Sequence, residues 1–210
     1  MDNEKAVAIW NKRLGWLVLA TAGFTAVTIA LLHVLRPDLD PFDKAISEYV
    51  NGPYGFLMTV TFFSQSLGSL ALAAILIREG RGQRRIRIGG ALFIVAAIGG
   101  AVAGVFPADP ASPYSRTTTG AIHMAAGLAR FLALSFALPL LSSALAKHPH
   151  FEKVAKALTL FGVLFVVAFL VSIIVLANVD LFGIGQRTFI VVLLIWMSIA
   201  VYPVIRRPES

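Results

Sequence analysis

The stretch YGFLMTVTFFSQSLGSLALAAILIREGRGQRRIRIGGALFIVAAIGGAVAGVF, residues 54–106, decides the architecture. It contains two long runs, Tyr54 to Ile77 and Ile88 to Phe106, with no charged residue in either. A hydrocarbon core needs about 20 apolar residues in an α-helix, because in lipid every backbone polar group must be satisfied within the element itself. Each run has that length. The join between them carries Arg78, Arg81, Arg84, Arg85 and Arg87 against the single acid Glu79. Under the positive-inside rule this is a cytoplasmic loop.

Working outward, four more stretches of the same kind appear. Together they predict six spans: Leu14 to Leu35, Tyr54 to Ile77, Ile88 to Phe106, Thr119 to Leu145, Ala155 to Ala177 and Thr188 to Ile205. The first follows Lys5, Lys12 and Arg13 as a signal peptide would, but no small-residue cleavage site follows it, so it is expected to stay as a span. Lys147, Lys153 and Lys156 join helices 4 and 5, and Arg206 and Arg207 follow helix 6. The even-numbered joins and the two ends thus hold 13 of the 18 basic residues, which places both termini in the cytoplasm. The expected fold is a single all-α transmembrane domain over residues 1–210, a six-helix bundle in the cell membrane.

Composition agrees. Hydrophobic residues make up 58% and charged residues 14%, with a mean hydropathy of +0.81, so most of the chain must face lipid. The formal charge of +7 lies in short clusters between apolar runs, the pattern of membrane topology and not of a nucleic-acid partner. Without cysteine there is no disulfide, thiolate metal site or thiol nucleophile. Acids, hydroxyls, histidines and arginines must carry any chemistry.

Arg130 is the most unusual residue, because it falls near the middle of helix 4, where an arginine costs roughly 2.5–3.5 kcal/mol and should face the bundle interior. His123, Gly127 and Arg130 are spaced i, i+4, i+7 and share one helical face. The guanidinium would find acceptors in backbone carbonyls or in Gln65, which lies at similar depth in helix 2 and is a further candidate ligand-binding residue. His123 is suited to acid–base work, and Asp109 could orient its imidazole; the competing role for Asp109 is to cap the start of helix 4 through backbone amides. His33 sits at a depth comparable to His123. Ser47, Glu48 and Tyr49 adjoin a predicted helix end beside the external side, and Arg116 and Arg187 lie on that side as further anion ligands. Trp10, Trp16, Tyr54, Tyr114 and Tyr202 read as interfacial anchors. Gly89, Gly90, Gly99, Gly100 and Gly104 make helix 3 a surface for close helix packing.

Ile46-Ser47-Glu48-Tyr49 with Gly52-Pro53-Tyr54-Gly55, then Phe106-Pro107-Ala108-Asp109-Pro110, then Gly120-Ala121-Ile122-His123, form a series that resembles the prokaryotic domain-of-unknown-function 998 family of six-span membrane proteins. The resemblance runs from helix 1 to helix 6, and the Phe-Pro-x-Asp and Gly-x-x-His pair is its most specific part. Where that family often has a basic residue directly after the histidine, this chain has Met124, and its arginine comes at position 130. The resemblance implies a six-helix membrane fold and no established activity. A more distant likeness is to membrane hydrolases related to alkaline ceramidase, which use a zinc on three histidines; with only His33 and His123 on the external side, that pattern is not met.

Four readings stay open at this stage. The first is an external-facing polar pocket that binds, and could modify, a membrane lipid or amphiphile, with Arg130 and Arg116 or Arg187 holding an anion and His123 and Asp109 as the acid–base pair. The others are a haem protein with His33 and His123 as axial ligands, a small transporter with Arg130 on a polar path, and an accessory subunit whose Gly-rich third helix packs against a partner or a second copy. The sequence names no cofactor and leaves open whether any reaction is catalysed.

Overall fold

The computed structural model describes residues 2–80, 82–110 and 117–207. Six long helices carry the fold: α1 (Asp2–Leu35), α2 (Gly55–Glu79), α3 (Arg84–Val105), α4 (Thr118–Leu145), α5 (Ala155–Ile174) and α6 (Phe182–Ile205). Short 3₁₀ turns at Ile46–Val50, Pro149–Val154 and Leu176–Asn178 punctuate the connections, and no strand occurs among the described residues. All six helices are long and apolar enough to cross a bilayer. The protein is a six-span α-helical membrane bundle.

Each helix packs against the next in sequence, and α6 closes back onto α1, so the six form a ring in chain order. Short connections make neighbours antiparallel. Both chain ends therefore meet at one end of the bundle, where Asn11 Nδ2 donates to Glu79 Oε1 at 2.8 Å and Arg207 forms a two-pronged ion pair with Glu79 at 3.0 Å. The arginines and lysines of the α2–α3 and α4–α5 connections lie at this same basic end.

The helices extend beyond the apolar runs where polar residues find partners. Helix α1 begins at Asp2, twelve residues before the run that predicts it, and carries the buried Asn11 to Glu79. Helix α6 begins at Phe182, six residues before the expected start at Thr188. Its first amides are satisfied by a loop far away in sequence, Gly183 N donating to Asp43 O at 3.1 Å and Ile184 N to Phe42 O at 2.9 Å. Helix α5 is the shortest at 20 residues, stopping at Ile174 before the expected Ala177.

The half of the bundle nearer the basic end is solid. Trp196 on α6 is fully buried, stacks on Phe93 of α3 at 5.9 Å, and donates to Ser142 Oγ of α4 at 3.0 Å. Ser142 in turn donates to Leu158 O of α5 at 2.8 Å. Above this layer Phe131, Phe165, Phe169 and Phe189 interlock with ring centroids 4.8 to 6.4 Å apart. The glycines of α3 are used within the chain: a Cβ on Gly89 would strike Leu141, one on Gly90 would strike Ile77, and one on Gly104 would press on Phe62 and Phe63. The Gly-rich helix thus packs closely on α2 and α4.

Candidate functional site

The opposite half of the ring is hollow. A cavity of about 230 Å³ lies inside α2 to α6, roofed by the 3₁₀ turn Ile46–Val50 and floored by the phenylalanine layer. Ser47, Glu48, Gln65, Asp109, His123 and Arg130 all contribute to its wall. These six come from four separate parts of the chain, and the fold brings them to one space. Most of the remaining wall is apolar.

Arg130 stands at the inner end. It is 4% exposed, and Nη2 donates to Gln65 Oε1 at 2.6 Å, the contact expected from their matching depth. Nε and Nη1 are buried with no hydrogen-bond partner. No carboxylate pairs with this guanidinium among the described residues. Its position depends on Gly99 and Gly100: a Cβ on Gly99 would come within 2.7 Å of Ala126 O, and one on Gly100 would collide with Arg130 Nη1. Only glycine lets α3 lie this close to α4 and the guanidinium turn inward.

Gly127, one helical turn toward the mouth, is different. A Cβ there would meet nothing within 4 Å, although the residue lines the cavity. No helix approaches it. The face of α4 that carries His123, Gly127 and Arg130 looks onto open space inside the bundle.

At the outer end, His123 Nδ1 lies 3.1 Å from Ala103 O and 2.8 Å from Phe106 O, the free carbonyls at the end of α3. Carbonyls only accept, so Nδ1 carries a proton and donates to them. Asp109 holds the start of α4: Thr117 N donates to Oδ2 at 2.9 Å and Thr117 Oγ1 to Oδ1 at 2.7 Å, while Thr117 Oγ1 accepts from Gly120 N at 3.0 Å. A side chain on Gly120 would collide with the Asp109 carboxylate. The Phe-Pro-x-Asp and Gly-x-x-His pair is therefore one closure, in which the aspartate holds Thr117, the N-cap of the incoming helix, and the histidine binds the last carbonyls of the outgoing one. The His123 Nδ1 lies on backbone carbonyls.

Tyr49 and Arg187 belong to a second polar cluster beside the cavity. Arg187 Nε donates to His33 Nε2 at 2.7 Å, Nη1 to Lys44 O at 2.8 Å and Gly183 O at 2.9 Å, and Nη2 to the Tyr49 hydroxyl at 3.3 Å. With its donors spread over four acceptors, Arg187 rivets the roof to α6 and α1 and is not a free anion ligand. His33 Nδ1 donates to Ile29 O, so both nitrogens of that ring are engaged. His33 on α1 and His123 on α4 stand on opposite sides of the ring. Among the described residues no group of three His, Asp or Glu is placed to hold a metal. Arg116 and Tyr114 lie outside the described residues.

Two residues that the hydropathy pattern did not single out complete the roof. Gln186 lines the cavity and takes the Ile46 amide on Oε1 at 2.6 Å. Arg36 is buried, pairs with Asp38 at 2.7 Å, and donates to the carbonyls of Asn51 and Pro53. Glu48 accepts from Ala45 N at 2.9 Å, and burial pushes its carboxyl above the usual range despite nearby Lys44.

A family model described as a protein of unknown function, DUF998, matches residues 12–202. The chain belongs to that family. No curated protein and no solved structure gives a significant match. For this DUF998 protein the matched segment contains α2 to α5 whole, most of α1 and α6, and every residue of the cavity wall.

Proposed function

We propose that this DUF998 protein binds an anionic amphiphile in the cavity of α2 to α6, with Arg130 holding the anion. One observation carries the reading: a buried guanidinium with two unpartnered nitrogens lines a space walled mainly by apolar side chains. A charged donor left unsatisfied in a membrane interior is costly, and an anionic group in the cavity would relieve that cost. The aromatic and aliphatic wall suits the attached chain. The cavity lies toward the end away from the basic clusters, the external side of a cell-membrane protein by the positive-inside rule.

Binding is favoured over catalysis by the spacing. Arg130 and His123 are seven residues apart on one helix, about 10 Å along its axis. A head group seated on Arg130 is out of direct reach of His123 Nε2. The solid tryptophan layer beneath the cavity likewise favours a binding pocket over a through-going path.

The reading is tested by titrating purified protein with the fluorescent fatty acid cis-parinarate and with its neutral methyl ester. One charge-assisted hydrogen bond is worth about 1.5–3 kcal/mol, so the ester should bind at least about ten-fold more weakly. Gly127→Phe, which fills the open space and leaves Arg130 in place, should weaken parinarate to a similar extent. Equal affinity for acid and ester, or undiminished binding to Gly127→Phe, would refute the site.

A further inference from the structure

Three of the residues lining the cavity are exposed on the outside of the bundle, Met124 at 46%, Leu128 at 47% and Ile173 at 37%; the rest of the wall is buried or half-buried. All three lie on α4 and α5. Residues that face both the cavity and the exterior mark its mouth, and this mouth opens sideways, between two helices, where the surroundings are acyl chains. The neighbouring wall has the features such an opening needs. Helices α4 and α5 are pinned at the basic end by Ser142 on Leu158 O and touch again through Phe131 and Phe169 at 6.0 Å. Beyond that point α5 runs for only one more helical turn before it stops at Ile174 and gives way to the turn Leu176–Asn178.

The roof, in contrast, is tied down by polar bonds. It is tied to α6 through Gln186 and Arg187, and to the α3–α4 connection by Asn51 Nδ2 donating to Ala108 O at 3.0 Å. A ligand passing through the tethered roof would have to break these bonds, whereas one arriving from the bilayer would meet only apolar side chains at Met124, Leu128 and Ile173.

Resting on the anion-binding reading above, we infer that the cavity is filled laterally from the bilayer through the α4–α5 gap, and that its occupant is a single-chain anionic amphiphile. The head, a carboxylate or a phosphate, sits on Arg130, and the chain leaves past Leu128 and Ile173 into the membrane. Size supports one chain. At about 230 Å³ the cavity is smaller than pockets that enclose a drug-sized molecule, roughly 300 Å³ upward, so it takes a head group and the first part of one chain.

The chain has no cysteine, so Leu128→Cys and Ile173→Cys can be joined specifically by a cleavable bismaleimide. Protein in nanodiscs is then mixed with vesicles carrying dansyl-undecanoate, and the rise in probe fluorescence is followed. Linkage should slow uptake at least ten-fold, and cleavage of the linker should restore it. An unchanged rate after linkage, or slowing when Ser47→Cys is linked to Ala108→Cys across the roof with none at the portal, overturns lateral access. Displacement of the probe by oleate supports a carboxylate head and displacement by lysophosphatidate a phosphate head. Displacement by diacyl phosphatidate but by neither single-chain lipid overturns the single-chain assignment. Absence of probe binding to the unlinked native chain would instead refute the anion-binding reading itself, so the two failures are distinct.

Discussion

Replacing Arg130 by methionine separates a ligand-holding arginine from a structural one, because the two roles predict opposite signs. In the ligand-free bundle Nε and Nη1 have no partner, and each buried unsatisfied donor weighs about 1–3 kcal/mol against the folded state. Methionine has a similar length and no polar group, so the substitution removes that cost. It also removes the 2.6 Å bond to Gln65, worth about 1.5–3 kcal/mol as a charge-assisted contact. Gln65 is only half-buried and borders the cavity, where water can replace the lost partner. The balance is a ligand-free protein stabilised by about 1–3 kcal/mol, in line with other replacements of buried charge by apolar groups. Anion binding moves the other way. Loss of two charge-assisted bonds at about 1.5 kcal/mol or more each weakens parinarate roughly a hundred-fold. Thermal unfolding in detergent, with and without parinarate, measures both quantities. A variant that melts several degrees lower than the native chain and still binds parinarate normally would show that Arg130 serves packing, and the reasoning would fail.

Gly127→Ala should raise stability by about 0.5–1 kcal/mol, since it improves helix propensity where the new methyl meets nothing, whereas Gly99→Ala should lower it by pressing on Ala126 O; thermal melts of the pair test this contrast. Glu48 gives a pH dependence of defined sign. Its carboxyl is raised by burial, so its contribution is fully present below the ordinary glutamate range and is lost as pH rises through the raised value. The melting temperature should therefore decline more steeply in the native chain than in Glu48→Gln, which keeps an acceptor for Ala45 N, as pH rises above the ordinary glutamate range; parallel profiles would count against it. For orientation, a cysteine at Asp40 should react with an impermeant maleimide on intact cells and one at Gly82 should not, and the reverse pattern would invert the topology.

Much of this protein can be read along the chain because a bilayer acts on local properties. Hydropathy sums over about 20 consecutive residues, and charge sorts loop by loop, so six spans and the basic end follow from composition in sequence order. The same logic singles out Arg130, since a cation in a long apolar run has to face inward and find acceptors. Asp109 shows where this reading becomes ambiguous: ahead of a helix and near a histidine it suits two roles, and only the folded chain shows that it holds Thr117, the N-cap of α4, beside Gly120. The start of α6 is hidden because Gly183, Gln186 and Arg187 are not apolar; they are held in place by bonds to Asp43, Ile46 and Lys44, well over a hundred residues away in sequence. His33 and His123 match in depth, but depth says nothing about which helices are neighbours, and the ring sets α1 opposite α4. That Ser47, Glu48, Gln65, Asp109, His123 and Arg130 share one cavity, while Tyr49 and Arg187 lock its roof, depends on the order of the helices and the rotation of each about its own axis. Those are fixed by close approaches such as α3 onto α4 at Gly99 and Gly100, and contacts of that kind exist only once the helices have packed.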